Sequence, residues 1–158
     1  SYSLRVGWKA SVANVTDSSQ VDASRNYLLQ NWETKSKGTY KLTETLQTEL
    51  SGALRQKKRT DGEELLKTYE ISGTLQWEKA KTSVRANFSF INNDFSGNSF
   101  SIVGNQMLEG LKAGKNQVWT LYIQQAINSF IKLNVNYEGR NSGDRTIHIG
   151  SMQIRASF

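Results

Sequence analysis

The chain has no cysteine, no proline, a single histidine and no stretch of 18 consecutive apolar residues. Each absence removes a class of protein. Without cysteine there are no disulfides and no thiolate metal sites, and His148 alone cannot build a histidine metal site. Without a long apolar run no helix can span a bilayer. Average usage of about 5% would place roughly eight prolines in a chain this long. Proline removes a ladder donor and is kept out of central strands, so its absence fits long, fully paired strands.

What remains is enough for one folded domain over residues 1–158. Apolar residues make up 37%, a deficit that nearly closes once the 12 Gly are counted, and six Phe, six Tyr and four Trp speak against disorder. The net charge of +6 admits nucleic acid or anionic lipid as partners. The basic residues, however, are scattered singly among strand-like segments, and no nucleic-acid partner is expected. The one run, "RQKKR" (55–59), reads as a solvated loop.

Alternation of apolar and polar residues is the dominant signal. In "SYSLRVGWKASVAN" one face carries Tyr2, Leu4, Val6, Trp8, Ala10 and Val12, the other Ser3, Arg5, Gly7, Lys9 and Ser11. A strand follows in "NYLLQNWETKS", with a turn at "KSKG" (35–38) and a third strand from Tyr40 to Leu54. Next come "KTYEISGTLQWEK", with Tyr69, Ile71, Leu75 and Trp77 on one face, and Val84 to Phe90 after the short link "AKTS". A Gly/Asn/Ser-rich stretch at 92–116 with one helical turn at "MLEGL" precedes "QVWTLYIQQAI", "FIKLNVNYEGR" and "IHIGSMQIRASF". The expectation is an all-β, antiparallel up-and-down barrel of about eight strands, closed or forming the last strands of a larger one.

Two segments fit imperfectly. Tyr27 and Leu29 have one parity and Leu28 and Trp32 the other, which predicts a bulge, and Glu44 falls on the apolar face of the third strand. Short connections alternate with longer ones at 16–25, 57–67, 92–116 and 140–146, as in outer-membrane barrels. The alternation gives every strand a direction and predicts two aromatic belts at the lipid interfaces. Tyr2, Tyr40, Trp77 and Phe158 fall toward the short-turn rim, and Tyr69, Trp119 and Tyr137 toward the long-loop rim. Arg5, Lys9, Glu70, Glu78, Arg85, Lys132 and Arg155 lie on the opposite faces, as lumen-facing charges.

The final segment carries a resemblance. Phe158, preceded at alternate positions by Ala156, Ile154 and Met152, resembles the C-terminal signal of Gram-negative outer-membrane β-barrels. The string "MLEGLKAGKNQVWTLYIQQAI…LNVNYEGRNSGDRTIHIGSMQIRASF" is similar to the closing strands of large Bacteroidota outer-membrane proteins. The resemblance implies a location in the bacterial outer membrane, contact with outer-membrane lipid, and insertion by the barrel assembly machinery. It also implies that the chain is the C-terminal part of something longer, with the rest of that chain or other subunits as partners. No catalytic residue or cofactor comes with it. The chain opens in a strand and not in a signal peptide, leaving a cytosolic chain, a mature form or a piece of a precursor as expectations.

The functional expectation is a non-enzymatic membrane anchor, scaffold or part of a transport pore. The alternative is a soluble lipocalin-like barrel binding a small apolar ligand, with Leu4, Val6, Trp8, Ile71, Leu75, Trp77, Ile131, Leu133 and Val135 turned inward. Periodicity is identical in the two cases. Other motifs carry little. "GLKAGKN" (110–116) lacks the spacing and the hydroxyl of a phosphate-binding loop, and "NVT" and "NFS" are short enough to arise by chance. "DGEE" (61–64) beside "RQKKR" reads as a self-compensating loop. His148 with Ser142 or Ser151 is the one conceivable nucleophile–base pair.

Overall fold

The computed structural model describes residues 4–17, 27–60 and 62–156, with side chains from residue 29 onward. Its strands are β1 (Leu4–Asp17), β2 (Tyr27–Lys41), β3 (Leu46–Arg59), β4 (Leu65–Lys79), β5 (Thr82–Ser96), β6 (Gly114–Ala126), β7 (Ile131–Ser142) and β8 (Arg145–Ala156). They lie in one sheet in sequence order, and each pairs antiparallel with the next. Among the described residues the pairing runs from β1 to β8 and does not close back from β8 to β1. The strands have 12–15 residues, against a usual five or six. Tilted at about 45°, 9–11 residues already cross a bilayer core.

Register converts the alternation into two continuous faces. Gly38, Leu50, Gly73 and Phe88 follow one another across β2 to β5, and Phe88, Trp119, Gly139 and His148 continue across β5 to β8. This apolar face holds Leu54, Ile71, Phe90, Ile123, Val135, Met152 and Ile154. The other face holds Glu33, Arg55, Glu70, Asn87, Asn134 and Arg155.

Several expectations are corrected by this register. Residues 35–38 are not a turn: β2 runs through them, and the reversal is at residues 42–45, where Leu42 N–H and Thr43 N–H both donate to the Leu46 carbonyl (2.9 and 3.1 Å). Glu44 therefore sits exposed in a turn and not on a strand face. No bulge interrupts β2, because its pairing is continuous from Tyr27 to Tyr40 on the β1 side. The "RQKKR" run is the end of β3, not a loop. The 57–67 connection shrinks to residues 60–64 and the 92–116 connection to 97–113. The last of the expected longer connections is a two-residue hairpin at Gly143–Asp144, where Gly143 takes φ +64. A positive φ at the first of two turn residues matches the twist of the flanking strands, and glycine meets it without strain.

The long connection holds a helix, α1 (Ile102–Leu108). Ser101 caps it by accepting from Gly104 N–H at 2.9 Å, and Glu109 ends it with φ 54. The helical turn expected at "MLEGL" thus begins earlier and stops before Gly110.

Candidate functional site: two faces and an inward-folded connection

Burial is inverted relative to a water-soluble sheet. On the polar face Thr68 and Asn93 are only 6% and 4% exposed, whereas on the apolar face Ile71 is 69% and Met152 70% exposed. Soluble proteins expose single apolar residues freely but rarely a contiguous apolar patch larger than a few hundred Å². Here Leu50, Leu54, Tyr69, Ile71, Leu75, Phe88, Phe90, Met152 and Ile154 are all exposed on one face. An open groove of about 1,230 Å³ crosses that face past Leu54, Tyr69, Ile71 and Phe90.

The polar face is a hydrogen-bonded network, as buried polar groups require. Arg55 is its centre: its Nε donates to Glu33 Oε1 on β2 at 2.9 Å, and its Nη2 pairs with Glu70 on β4. Around it, Ser51 and Ser72 hydroxyls meet at 2.7 Å, Thr68 Oγ1 donates to Asn93 at 2.8 Å and Thr74 Oγ1 donates to Asn87 at 2.9 Å. Lys37 pairs with Glu49 at 2.6 Å. Arg85 Nη2 donates to Gln76 at 2.7 Å, and Gln76 in turn donates to Glu78.

Of the sequence-predicted lumen charges, Glu70 joins the Arg55 cluster and Glu78 and Arg85 share Gln76. Lys132 and Arg155 face each other directly across β7 and β8. Arg5 and Lys9 pair in register with Thr39 and Lys35, and their side chains lie outside the described residues. Sequence reading missed Arg55, Glu33, Lys37 and Glu49, although alternation through "RQKKR" places Arg55 and Lys57 on the parity of Glu49.

The connection 97–113 folds onto this polar face. Val103, Met107 and Leu108 of α1 form a buried cluster with Leu29 of β2 and Leu66 of β4, against which Phe95 packs. These strand residues have the parity of the polar face, so the apparent phase fault at Leu29 is a seat for the helix. Lys57 Nζ donates to the Met107 carbonyl at 3.3 Å and pairs with Glu109. On the far side, Lys112 N–H donates to Ser142 Oγ at 2.9 Å, Asn116 Nδ2 donates to the Lys112 carbonyl at 2.9 Å, and Arg140 donates to the Gly110 carbonyl. Residues of β2 to β7 thus hold one connection over the polar face.

Of the predicted aromatic belts, Tyr40, Trp77, Tyr69, Trp119 and Tyr137 all share the apolar face by register; Tyr2 and Phe158 lie outside the described residues. Phe88 stacks on Trp119 with ring centroids 6.3 Å apart, and Tyr137 stacks on His148, its hydroxyl 2.8 Å from Nδ1. Ser142 points to the other face, bonded to Asn116, and Ser151 shares that parity, so neither hydroxyl of the conceivable pair is on the face of His148. The Trp119 indole packs against Gly139, where a Cβ would come within 2.2 Å of its ring atoms. Gly139→Ala is expected to expel the indole at a cost of about 1–3 kcal/mol, as overpacking does. Trp119 emission, read with Trp8, Trp32 and Trp77 replaced by Phe, checks this.

Among the described residues no group of three or more His, Asp and Glu side chains is placed to hold a metal, and no helix is long and apolar enough to cross a membrane. The latter says nothing of strands.

No family model matches the chain, and no curated protein does. Solved structures do. OmpT of Vibrio cholerae with loop L8 deleted, an outer membrane protein, superposes with a TM-score of 0.61 at 10% identity, over 96% of this chain and 49% of its own. The outer-membrane expressed OmpT of the same organism gives 0.59 at 9% identity, over 97% of this chain and 52% of its own. At such identity the likeness is one of fold. The chain spans about half the length of the structures it matches, and its antiparallel up-and-down sheet has the fold of outer-membrane β-barrel strands.

Proposed function

We propose that the chain is part of the wall of a bacterial outer-membrane β-barrel larger than eight strands, with a non-enzymatic role in a transport pore. The inverted burial carries this reading: a face of exposed Leu, Ile, Phe and Met suits lipid, and a partly buried polar network suits an interior. Lipid offers backbone groups no hydrogen bonds, so the free edges of β1 and β8 need partners. Further strands of a longer chain or other subunits supply them more readily than closure, since the open sheet matches about half of a larger barrel. Insertion by barrel assembly machinery belongs to the same reading, as does the origin in a large Bacteroidota protein. The inward-folded connection narrows the interior at one end. A lipocalin-like binder would need the apolar face enclosed, which its exposure argues against.

Membrane fractionation of these strands together with the flanking strands or subunits that complete the barrel, followed by electrophoresis with and without boiling, tests the proposal. Recovery in the outer membrane with a heat-dependent band shift is expected. A soluble monomer with no shift would overturn it.

A further inference from the structure

We propose that the polar face carries an oxyanion site at its short-turn end, built on Lys132 and Arg155, that takes a phosphate group. The two residues occupy directly opposed positions on β7 and β8. Opposed like charges on one face of a sheet repel, and several other cations of this face meet carboxylates: Lys37 has Glu49, Arg55 has Glu33 and Glu70, and Lys57 has Glu109. No described carboxylate pairs with Lys132 or Arg155. They instead line a hollow of about 360 Å³ with Gln124, Ser129, Phe130 and Asn134.

That lining has no acid and is rich in donors. Arg155 offers a planar fork that suits phosphate oxygens, Lys132 an ammonium, and Gln124 and Asn134 face each other across β6 and β7 with amide donors. The turn that supplies Ser129 and Phe130 is fixed before any ligand arrives. Asn128 Oδ1 accepts from Phe130 N–H at 2.9 Å and Ile131 N–H at 2.7 Å, and Ile127 N–H donates to the Ile131 carbonyl. An anion entering the hollow removes the repulsion between the two cations and meets donors already in place. Basic side chains on an interior wall are the means by which pores favour anions. The site's position in a water-filled interior rests on the proposed barrel reading; the hollow and its charge do not.

The test is calorimetric titration of inorganic phosphate into the full chain folded in detergent, against chloride at equal ionic strength, with the heat-modifiable band read on the same samples. One phosphate site is expected. Arg155→Gln and Lys132→Gln should each weaken it about tenfold or more, the scale of a lost charge-assisted hydrogen bond, while Lys115→Gln on the other face leaves it unchanged. Flotation with phosphatidylcholine vesicles, with and without phosphatidylglycerol, separates the sources of phosphate. Phosphatidylglycerol dependence that needs Lys132 and Arg155, without a response to inorganic phosphate, assigns the site to a lipid headgroup. No specific binding in either arm, or binding indifferent to both substitutions, overturns the site even with the band shift intact. A missing band shift with specific phosphate binding would instead overturn the barrel reading and leave the site standing.

Discussion

Ile71→Arg is expected to destabilise the folded chain in a bilayer by about 2–4 kcal/mol, the cost of Arg on the lipid face near the midplane of a membrane barrel. Ile71 lies in the middle of β4, opposite Phe90, and is 69% exposed with no cover from the chain itself. That exposure makes the test decisive. At an exposed position in water, such a substitution usually changes stability by no more than about 0.5 kcal/mol. Unfolding of the variant in vesicles, followed by tryptophan emission, gives the number. Leu75→Arg, closer to the short-turn end of β4, should cost less, because the penalty falls with distance from the midplane. A near-zero effect at Ile71, with no gradient toward Leu75, would remove lipid from the apolar face and the barrel reading with it.

Met107→Ala is expected to weaken the seat of α1 by about 2–5 kcal/mol, the range for deleting a buried Met side chain. Met107 is 1% exposed and packs with Leu29, Leu66, Val103 and Leu108. The loss should be local, since the strand ladder does not depend on the helix. Trypsin reports it: cleavage after Lys112 should accelerate severalfold while the sheet stays resistant. The cluster carries more of the docking than the ion pair does. Glu109 is an exposed partner of Lys57 and its pairing is worth little, so Glu109→Gln should leave cleavage near the unaltered rate. Equal cleavage of Met107→Ala and the parent chain would mean that hydrogen bonds alone hold the connection.

Much of this architecture was legible in the residues. Strict alternation from Tyr69 to Trp77 marks a two-faced strand, and the same alternation recurs along the chain with polar connections between. Antiparallel order follows from those short connections. The aromatic positions Tyr40, Tyr69, Trp77, Trp119 and Tyr137 share a face because parity and register are the same information once each strand is paired.

The remaining features depend on contacts between distant segments. Leu29 and Leu66 look like phase errors until α1, residues 102–108, covers them. Glu44 looks like a misplaced charge until the backbone reverses at residues 42–45. Arg55 sits in a run of basic residues that reads as solvated; only pairing of β3 with β2 and β4 brings Glu33 and Glu70 to it. The open sheet leaves its apolar face exposed and its polar face partly covered by α1. A period of two tells which residues share a face, and it is the same whichever face turns inward. Sequence therefore determined most of the strands and their two chemistries; tertiary structure decided which chemistry is covered, because that depends on where the 97–113 connection lands.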